Sequence, residues 1–155
     1  MIAAIYPGSF DPITKGHQSI ALRASNIFDH LIIAIGKNTD KQYMFSMEER
    51  LLFVQKTFAD IKKITVVSYD GLTIDFCKKN NIHYIVRGLR SDMDWGIEST
   101  IAHANRLLSP LVETLFLLTE PQYAGISSSV VRDILINRGD VTAFVPDNIL
   151  DMINK

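Results

Sequence analysis

The sequence contains very little cysteine, and this excludes two kinds of small protein. Cys77 is the single cysteine among 155 residues, so the chain can form no internal disulfide. No second thiol stands at a metal-binding spacing from it, which argues against a cysteine-based metal site. Cys77 lies at helical spacing from Ile74 and next to Phe76, so we expect a buried, inert thiol rather than a nucleophile.

A charge of one sign and a long apolar segment are also missing. The 16 Lys and Arg residues are balanced by 17 Asp and Glu residues, which gives a formal net charge of -1. A general nucleic-acid binder carries a strong basic excess, so we expect no nucleic-acid partner and only a local cation cluster for any phosphate ligand. The first apolar run stops at Pro7 with no basic segment before it, unlike a signal peptide or a membrane span. These absences predict a cytoplasmic protein that does not bind membranes.

Composition and length predict one domain over residues 1–155. Apolar residues make up 47% of the chain and charged residues 21%, which is typical of globular rather than disordered proteins. A chain of this length can bury a core of its own. No internal repeat, low-complexity tract or long linker divides it.

Apolar runs alternate with segments of helical spacing along the chain. Strands are predicted at Ile2 to Ile5, Leu31 to Ile35, Ile64 to Val67, Tyr84 to Val86 and Glu113 to Leu118. Helices are predicted after Gly16 and His17, after Ser46, over Thr73 to Lys79, over Asp94 to Leu108, from Ser127 or Ser128 to Gly139, and from Pro146. Strands that alternate with helices imply an α/β fold, with a doubly wound, parallel, five-stranded sheet and helices on both faces. Such a sheet binds ligands at the carboxyl ends of its strands, beside the point at which strand order reverses.

The segment from Tyr6 to His17 connects the first predicted strand to the first predicted helix. It is rich in Pro and Gly, and it places Gly16 and His17 at a helix N-terminus. Unpaired backbone N–H groups and the helix dipole favour an anion there, so we expect a phosphate. The alternative is that these residues only form a turn and that His17 is a solvated or capping side chain.

Basic residues follow two more of the predicted strands. Lys41 comes after the second strand, and the run Arg87 to Arg90 ends the fourth. Arginine can bind phosphate with two parallel hydrogen bonds, whereas lysine offers a mobile point charge. Any one of these residues could simply be a solvated surface charge, but together they indicate a phosphate site at the rim of the sheet.

The first loop identifies a family. Thr14-Lys15-Gly16-His17 resembles the signature Thr or His, any residue, Gly, His of a nucleotidyltransferase superfamily, whose Rossmann-like fold is shared with class I aminoacyl-tRNA synthetases. The whole run from Tyr6 to His17 resembles the phosphopantetheine adenylyltransferases, as do Arg87-Gly88-Leu89-Arg90 and Ile126-Ser127-Ser128-Ser129. The resemblance covers nearly the whole chain.

What the resemblance implies is transfer of AMP from ATP to 4′-phosphopantetheine, giving dephospho-coenzyme A and pyrophosphate in coenzyme A synthesis. It also implies Mg²⁺ bound through the ATP phosphates rather than by protein ligands, a homohexamer, and feedback inhibition by coenzyme A. The acceptor's phosphate monoester is largely dianionic at neutral pH, because its second pKa is about 6. Its oxygen therefore needs no protein base to act as a nucleophile.

Site residues follow from the same resemblance, position by position. Catalytic roles are implied for His17, Lys41 and Arg90. Contacts with the acceptor are implied for Ser9, Lys41, Thr73 and Arg87. Contacts with ATP are implied for Ser9, Phe10, His17, Gly88, Leu89, Arg90, Glu98, Tyr123, Ala124, Gly125, Ile126, Ser127, Ser128 and Ser129.

The sequence departs from the family pattern in two places. Ser9 stands where Thr is usual and keeps the hydroxyl. Residues 94–98 read Asp-Trp-Gly-Ile-Glu where the family more often has Asp-Phe-Glu-Tyr-Glu. Gly96 costs about 1 kcal/mol of helix propensity relative to Ala, and Ile97 replaces an aromatic residue. We therefore expect a change in adenine-side packing or in the helix start, with Glu98 retained.

Two other functions use the same residues differently. The first is adenylyl or cytidylyl transfer to another phosphomonoester, such as nicotinamide mononucleotide or a glycerol phosphate. The second is a non-catalytic nucleotide-binding sensor, which would bind ATP without releasing pyrophosphate. A nucleic-acid-binding module fits less well, because the chain lacks both a basic excess and an aromatic-rich strand pattern.

Overall fold

A computed structural model describes residues 1–37 and 42–153 of the chain. Five parallel strands form one sheet in the order β3-β2-β1-β4-β5. The strands are β1 (Ala3–Gly8), β2 (His30–Lys37), β3 (Ile64–Asp70), β4 (Tyr84–Leu89) and β5 (Glu113–Leu118). Strand order reverses beside β1, so the prediction of a doubly wound α/β fold is confirmed.

Helices connect the strands as the alternating pattern predicted. The described helices are α1 (Lys15–Ile27), α2 (Met47–Thr57), α3 (Thr73–Lys79), α4 (Asp92–Leu108), α5 (Ser128–Ile136) and α6 (Leu150–Ile153), with 3₁₀ helices at Pro121–Tyr123 and Asp147–Ile149. Over the described ranges, no helix combines the length and apolar character that crossing a membrane requires.

The sheet is buried on both faces, which explains its continuous apolar strands. Along β1, Ala4 and Tyr6 pack into one apolar cluster and Ile5 packs into another on the opposite face. Cys77 belongs to the second cluster with no exposed surface. The expected burial of the cysteine is confirmed, and burial raises the pKa of its thiol to about 11, which disfavours the reactive thiolate.

Side-chain caps define where the helices begin. Ser46 and Glu49 form the predicted capping box at the start of α2, with each side chain bonded to the other's backbone N–H. Ser127 caps α5 by accepting a hydrogen bond from Val130 N at 3.2 Å. The structure thus decides between the two serines that the sequence left open.

Strands β1 and β4 separate toward their carboxyl ends. Their pairing consists of Ala4 with Tyr84 and Ile5 with Ile85. By contrast, β1 stays paired with β2 up to Gly8 and Ile35. The separation opens a crevice at the reversal of strand order, where doubly wound sheets bind ligands.

Helix α4 differs from the other helices in its burial. The predicted stripe Ile97, Ile101, Ala104 and Leu108 is present on the helix, but α4 has no buried residue among the described parts of the chain. Gly96 lies inside the helix and does not interrupt it, and Trp95 packs edge-on against Phe116. The apolar stripe is therefore a surface rather than part of the core.

Candidate active site

A cavity of about 530 Å³ occupies the crevice between β1 and β4. The first loop, the end of β4, the start of α4 and the start of α5 all contribute to its wall. The predicted site residues that line it are Ser9, Phe10, His17, Thr73, Arg87, Gly88, Arg90, Glu98, Ile126, Ser127, Ser128 and Ser129. Side chains that lie as far as 120 positions apart in the sequence therefore share one cleft.

Within the part of the chain that the structure describes, the N-terminus of α1 keeps one backbone donor for a ligand. The first four N–H groups of a helix have no partner inside it. Here the N–H of Thr14 donates to His17 Nδ1 at 3.1 Å, that of Lys15 to Phe144 O at 2.8 Å, and that of His17 to Thr14 Oγ1 at 3.3 Å. Gly16 is the remaining member of the set, and it lines the cavity. Its N–H is the donor available to an anion at this helix end.

The Thr14 contacts fix the protonation of the His17 ring. Because Nδ1 accepts the Thr14 N–H, a neutral ring must carry its proton on Nε2. Burial lowers the pKa of His17 to about 4, and the charges of Arg90 and Arg87 add to this effect. At neutral pH His17 is therefore an uncharged donor rather than an imidazolium.

The low pKa of His17 makes folding stability depend on pH. Between pH 6.5, its ordinary value, and about pH 4 the unfolded chain binds a proton that the folded chain excludes. The free energy of unfolding should therefore fall as the pH decreases through this range. The His17 contribution is at most about 3 kcal/mol, and less because the ring is only half-buried.

Chemical unfolding of the wild type and of His17→Gln between pH 7 and 4 tests whether His17 causes this pH dependence. The variant keeps a capping-box acceptor at the same position. The wild type should lose more stability than the variant across the range. Parallel curves for the two proteins would contradict the assignment.

Phe10 gives the first loop an unusual backbone conformation. Phe10 has a φ of 47°, in the left-handed region that non-glycine residues seldom adopt. Its ring is buried edge-on against Tyr6 and His17, with centroid distances of 5.5 Å and 5.2 Å. A Cβ on Gly8 would lie 2.9 Å from the Phe10 ring, so this packing requires glycine there. The buried ring stabilises a backbone conformation that positions the neighbouring site residues.

Arg50 of α2 also holds the first loop in place. Its side chain is almost fully buried, with its guanidinium over the Tyr43 ring at 3.9 Å from the centroid. Its Nη1 donates to the carbonyl of Ser9 at 2.8 Å. A buried cation is thus used to fix the backbone at one of the predicted phosphate-contacting residues.

The N-terminus of α5 offers further backbone donors. Ser127 Oγ takes the N–H of Val130, so the other members of the first four, the N–H groups of Ser127, Ser128 and Ser129, have no partner inside the helix. The hydroxyl of Ser128 donates to Pro12 O at 2.8 Å. Its proton is therefore used inside the protein, so Ser128 can donate to a phosphate through its backbone N–H.

Asp11 connects three parts of the site, and the sequence did not single it out. Its carboxylate is 2% exposed and accepts hydrogen bonds from Met44 N at 3.0 Å and Phe45 N at 2.9 Å. Arg132 of α5 lies 3.8 Å from this carboxylate and donates to the Asp11 carbonyl at 2.7 Å. Arg132 also donates to Ser129 Oγ at 3.0 Å. One buried residue thus joins the first loop to α5 and to the segment before α2.

Arg87 spans the crevice between the separated strands. Its Nε donates to Glu98 at 2.6 Å, its Nη2 bonds the other oxygen of the same carboxylate, and its Nη1 donates to Pro7 O at 2.7 Å. These contacts join β4, α4 and β1. Glu98 therefore reaches the cleft as the partner of Arg87.

Arg90 forms a second bidentate pair one residue beyond β4. Its Nε and Nη2 donate to the two oxygens of Asp94, at 3.0 Å and 2.9 Å. These hydrogen bonds lower the pKa of Asp94, which is therefore a carboxylate at neutral pH. The two arginines of the predicted run are thus each oriented by an acidic residue of α4.

Some predicted residues do not line the cleft. Leu89 is buried in the sheet and its carbonyl accepts from Thr119 N. Tyr123, Ala124 and Gly125 form the turn before α5 and are absent from the described cavity wall. Lys41 lies outside the described residues.

Local signals could have found two of the overlooked residues. Thr14 stands three positions before His17, the spacing of a capping box, and Asp94 stands four positions after Arg90, the spacing of a helical ion pair. The contacts that join Asp11 to Met44, Phe45 and Arg132 have no such signal, because they span 33 to 121 positions of the sequence.

The described cleft is suited to an anion with several oxygens. It combines helix N-terminal N–H groups of α1 and α5 with the Nε2–H of His17 and the guanidinium groups of Arg87 and Arg90. Within residues 1–37 and 42–153, no group of three or more His, Cys, Asp or Glu side chains is placed to hold a metal ion. These donors can orient a phosphate and stabilise negative charge.

Comparison with known proteins gives consistent matches. A model of the cytidylyltransferase-like family matches residues 5–134. A Flavobacterium johnsoniae protein named phosphopantetheine adenylyltransferase is 52% identical over 147 residues, which cover 95% of this chain and 96% of that protein. Proteins of the same name from Flavobacterium psychrophilum and Christiangramia forsetii are 52% and 46% identical, and each match covers 95% of this chain and 97% of the relative.

Proposed function

The chain belongs to the phosphopantetheine adenylyltransferases, within the cytidylyltransferase-like family, and from this premise we propose that it transfers the adenylyl group of ATP to 4′-phosphopantetheine. The products are dephospho-coenzyme A and pyrophosphate, so the enzyme is a nucleotidyltransferase of coenzyme A synthesis. The observation that carries the proposal is the convergence of two helix N-termini, His17 and two arginines on one crevice.

The chemistry requires alignment and charge stabilisation rather than a protein base. The acceptor phosphate already has a nucleophilic oxygen at neutral pH. This oxygen attacks the α-phosphorus of ATP, the bond from that phosphorus to the bridging oxygen breaks, and pyrophosphate leaves with the electron pair. The cleft supports this in-line displacement by orienting both substrates and stabilising the charge that moves to the leaving group.

We assign roles to the residues in the same proposal. The Nε2–H of His17 and the guanidinium of Arg90 stabilise the transferred phosphoryl group, together with Lys41. Ser9, Thr73 and Arg87 contact the acceptor. Ser9 and Lys41 also contact its reactive phosphate. The remaining predicted residues that contact ATP are Phe10, Gly88, Leu89, Glu98, Tyr123, Ala124, Gly125, Ile126, Ser127, Ser128 and Ser129.

Magnesium is proposed as an ion carried by ATP. The donors near the two helix N-termini are N–H groups, hydroxyls and cations, which suit phosphate oxygens rather than a bare metal ion. Ser127, Ser128 and Ser129 would hold the phosphates that carry it. When bound, Mg²⁺ neutralises negative charge on the leaving pyrophosphate.

Pyrophosphate release tests the proposal. The protein is incubated with ATP and Mg²⁺ and with 4′-phosphopantetheine, nicotinamide mononucleotide or no acceptor, and the nucleotide product is identified by mass. Release only with 4′-phosphopantetheine, giving dephospho-coenzyme A, is the expected result. Release with another acceptor would show that a different phosphomonoester is the substrate. ATP binding without pyrophosphate release would favour the non-catalytic nucleotide-binding sensor.

The exposed apolar face of α4 supports self-association. Met93, Ile97 and Leu107 are 82%, 68% and 85% exposed, and Leu111 beyond the helix is 76% exposed. Contiguous exposed apolar side chains indicate an interface. We propose a homohexamer of one-domain subunits, each comprising residues 1–155.

Sedimentation of the wild type should find a hexamer, and Leu107→Glu should dissociate it because the variant places a charge on the apolar face. A monomeric wild type at micromolar concentration would contradict the proposed hexamer.

Regulation and location complete the proposal. Coenzyme A contains the acceptor's phosphopantetheine unit, so we propose that it binds the same cleft as a feedback inhibitor. We also propose a cytoplasmic location.

A further inference from the structure

We propose that Asp94 is a positioning residue that holds the Arg90 guanidinium in a fixed orientation toward the phosphate end of the cleft. The inference rests on the proposed function, in which Arg90 stabilises the transferred phosphoryl group. Asp94 itself has no role in that proposal.

A single carboxylate restrains Arg90 at both ends of its side chain. One Asp94 oxygen accepts the backbone N–H of Arg90 at 2.8 Å and the Nε–H at 3.0 Å. The other oxygen accepts from Nη2 at 2.9 Å. Because Asp94 lies in the first turn of α4, the start of the helix fixes the position of this carboxylate, and the carboxylate in turn fixes the guanidinium.

The restraint matters because Arg90 is otherwise a poorly confined side chain. It follows the last residue of β4, and its side chain is 40% exposed. A long exposed side chain loses rotamer freedom when it binds a phosphate. A guanidinium already held by a bidentate carboxylate has lost that freedom beforehand, so it meets the phosphate pre-organised.

The pair leaves one edge of the guanidinium for a ligand. Two of its five N–H groups donate to Asp94. Over residues 1–37 and 42–153 no hydrogen bond of Arg90 involves Nη1. Both Arg90 and Asp94 line the cavity, so the Asp94 carboxylate can hold one edge while the opposite edge binds phosphate.

The same pair could instead act against the reaction, and the two roles predict opposite effects. Asp94 cancels part of the positive charge of Arg90, so a purely inhibitory carboxylate would weaken phosphate binding. Removing its charge would then raise activity. A positioning carboxylate predicts the reverse, since the freed guanidinium would no longer be aligned.

Asp94→Asn tests whether the Asp94 carboxylate raises or lowers activity, with Asp92→Asn as the matched control. Asp92 lies in the same first turn of α4, and the only hydrogen bond of its carboxylate over the described ranges is with the adjacent N–H of Met93. Both variants therefore remove one charge from the same helix end. Asp94→Asn should lower kcat about 10-fold with KM for ATP changed less than about 2-fold, because alignment in the transition state is lost.

The control should keep kcat within about 2-fold of wild type, since it leaves Arg90 aligned. Increased activity of Asp94→Asn, or activity equal to that of Asp92→Asn, would overturn the proposal. In an Arg90→Ala background Asp94→Asn should have no further effect, whereas an additive loss would show that Asp94 does not act through Arg90.

A measurement without turnover separates this inference from the proposed function. The ¹⁵N relaxation of the Arg90 Nε–H group, assigned with Arg90→Ala, reports how firmly the guanidinium is held. It should be ordered in wild type and Asp92→Asn and mobile in Asp94→Asn. A mobile group in wild type, or an equally ordered one in Asp94→Asn, would overturn the proposal. Wild-type protein that releases no pyrophosphate would instead refute the proposed function, and the relaxation would still decide whether Asp94 holds Arg90.

Discussion

Replacing His17 by alanine is expected to lower kcat by about 10²- to 10³-fold, which is the loss found when one pre-organised donor to a developing charge is removed. The Nε2–H of His17 faces the cavity because Nδ1 is occupied by the Thr14 N–H. The Kd for ATP should change little, since the interaction forms mainly in the transition state. Steady-state kinetics and calorimetric ATP titration measure the two quantities separately.

Two variants make the His17 result interpretable. His17→Gln keeps a capping-box acceptor and a side-chain N–H, so it should fold normally and retain more activity than His17→Ala. His83→Ala removes an exposed imidazole elsewhere on the chain and should behave as wild type. A near-normal kcat for His17→Ala would remove His17 from the mechanism.

Replacing Asp11 by alanine is expected to lower the free energy of unfolding by about 3 to 5 kcal/mol. The change leaves the N–H groups of Met44 and Phe45 without their acceptor and removes the carboxylate beside Arg132. These two donors lie in a part-buried site, and a fully buried donor left unpaired costs about 1 to 3 kcal/mol, so most of the loss comes from removing the buried Asp11 carboxylate itself. Urea unfolding at pH 7 gives the difference directly.

Asp29→Ala is the matched control for Asp11→Ala. The Asp29 carboxylate also accepts a backbone N–H, from Ile2 at 2.7 Å, but at an exposed site. Water can replace this acceptor, so the loss should be less than about 1 kcal/mol. Equal losses for the two variants would show that the buried contacts of Asp11 do not stabilise the fold.

Features with short-range causes could be predicted from the sequence. Helix α3 has the predicted bounds, Thr73–Lys79, and Ser46 caps α2 as its capping box indicated. Each depends on residues within a few positions of one another. The helix N-terminus at Gly16 and His17 was predictable for the same reason, because strand, turn and helix follow directly in the chain.

The apolar stripe of α4 shows the limit of such patterns. Its spacing predicted a helix, and a helix forms. The same spacing could not determine whether Ile97 and Ile101 would be covered by the chain itself, and both are exposed. Periodicity shows which side chains share a face, whereas only the positions of other elements determine what covers that face.

By itself the sequence determined the alternation of strands and helices, the caps and the motifs at strand ends, because backbone preference and side-chain periodicity act over a few residues. Only the tertiary structure decided that β1 and β4 separate, that Glu98 holds Arg87 and that Arg132 reaches Asp11 across 121 positions. Those contacts depend on how the layers pack, since bringing together distant segments is governed by burial and hydrogen bonding of the whole core rather than by any local signal.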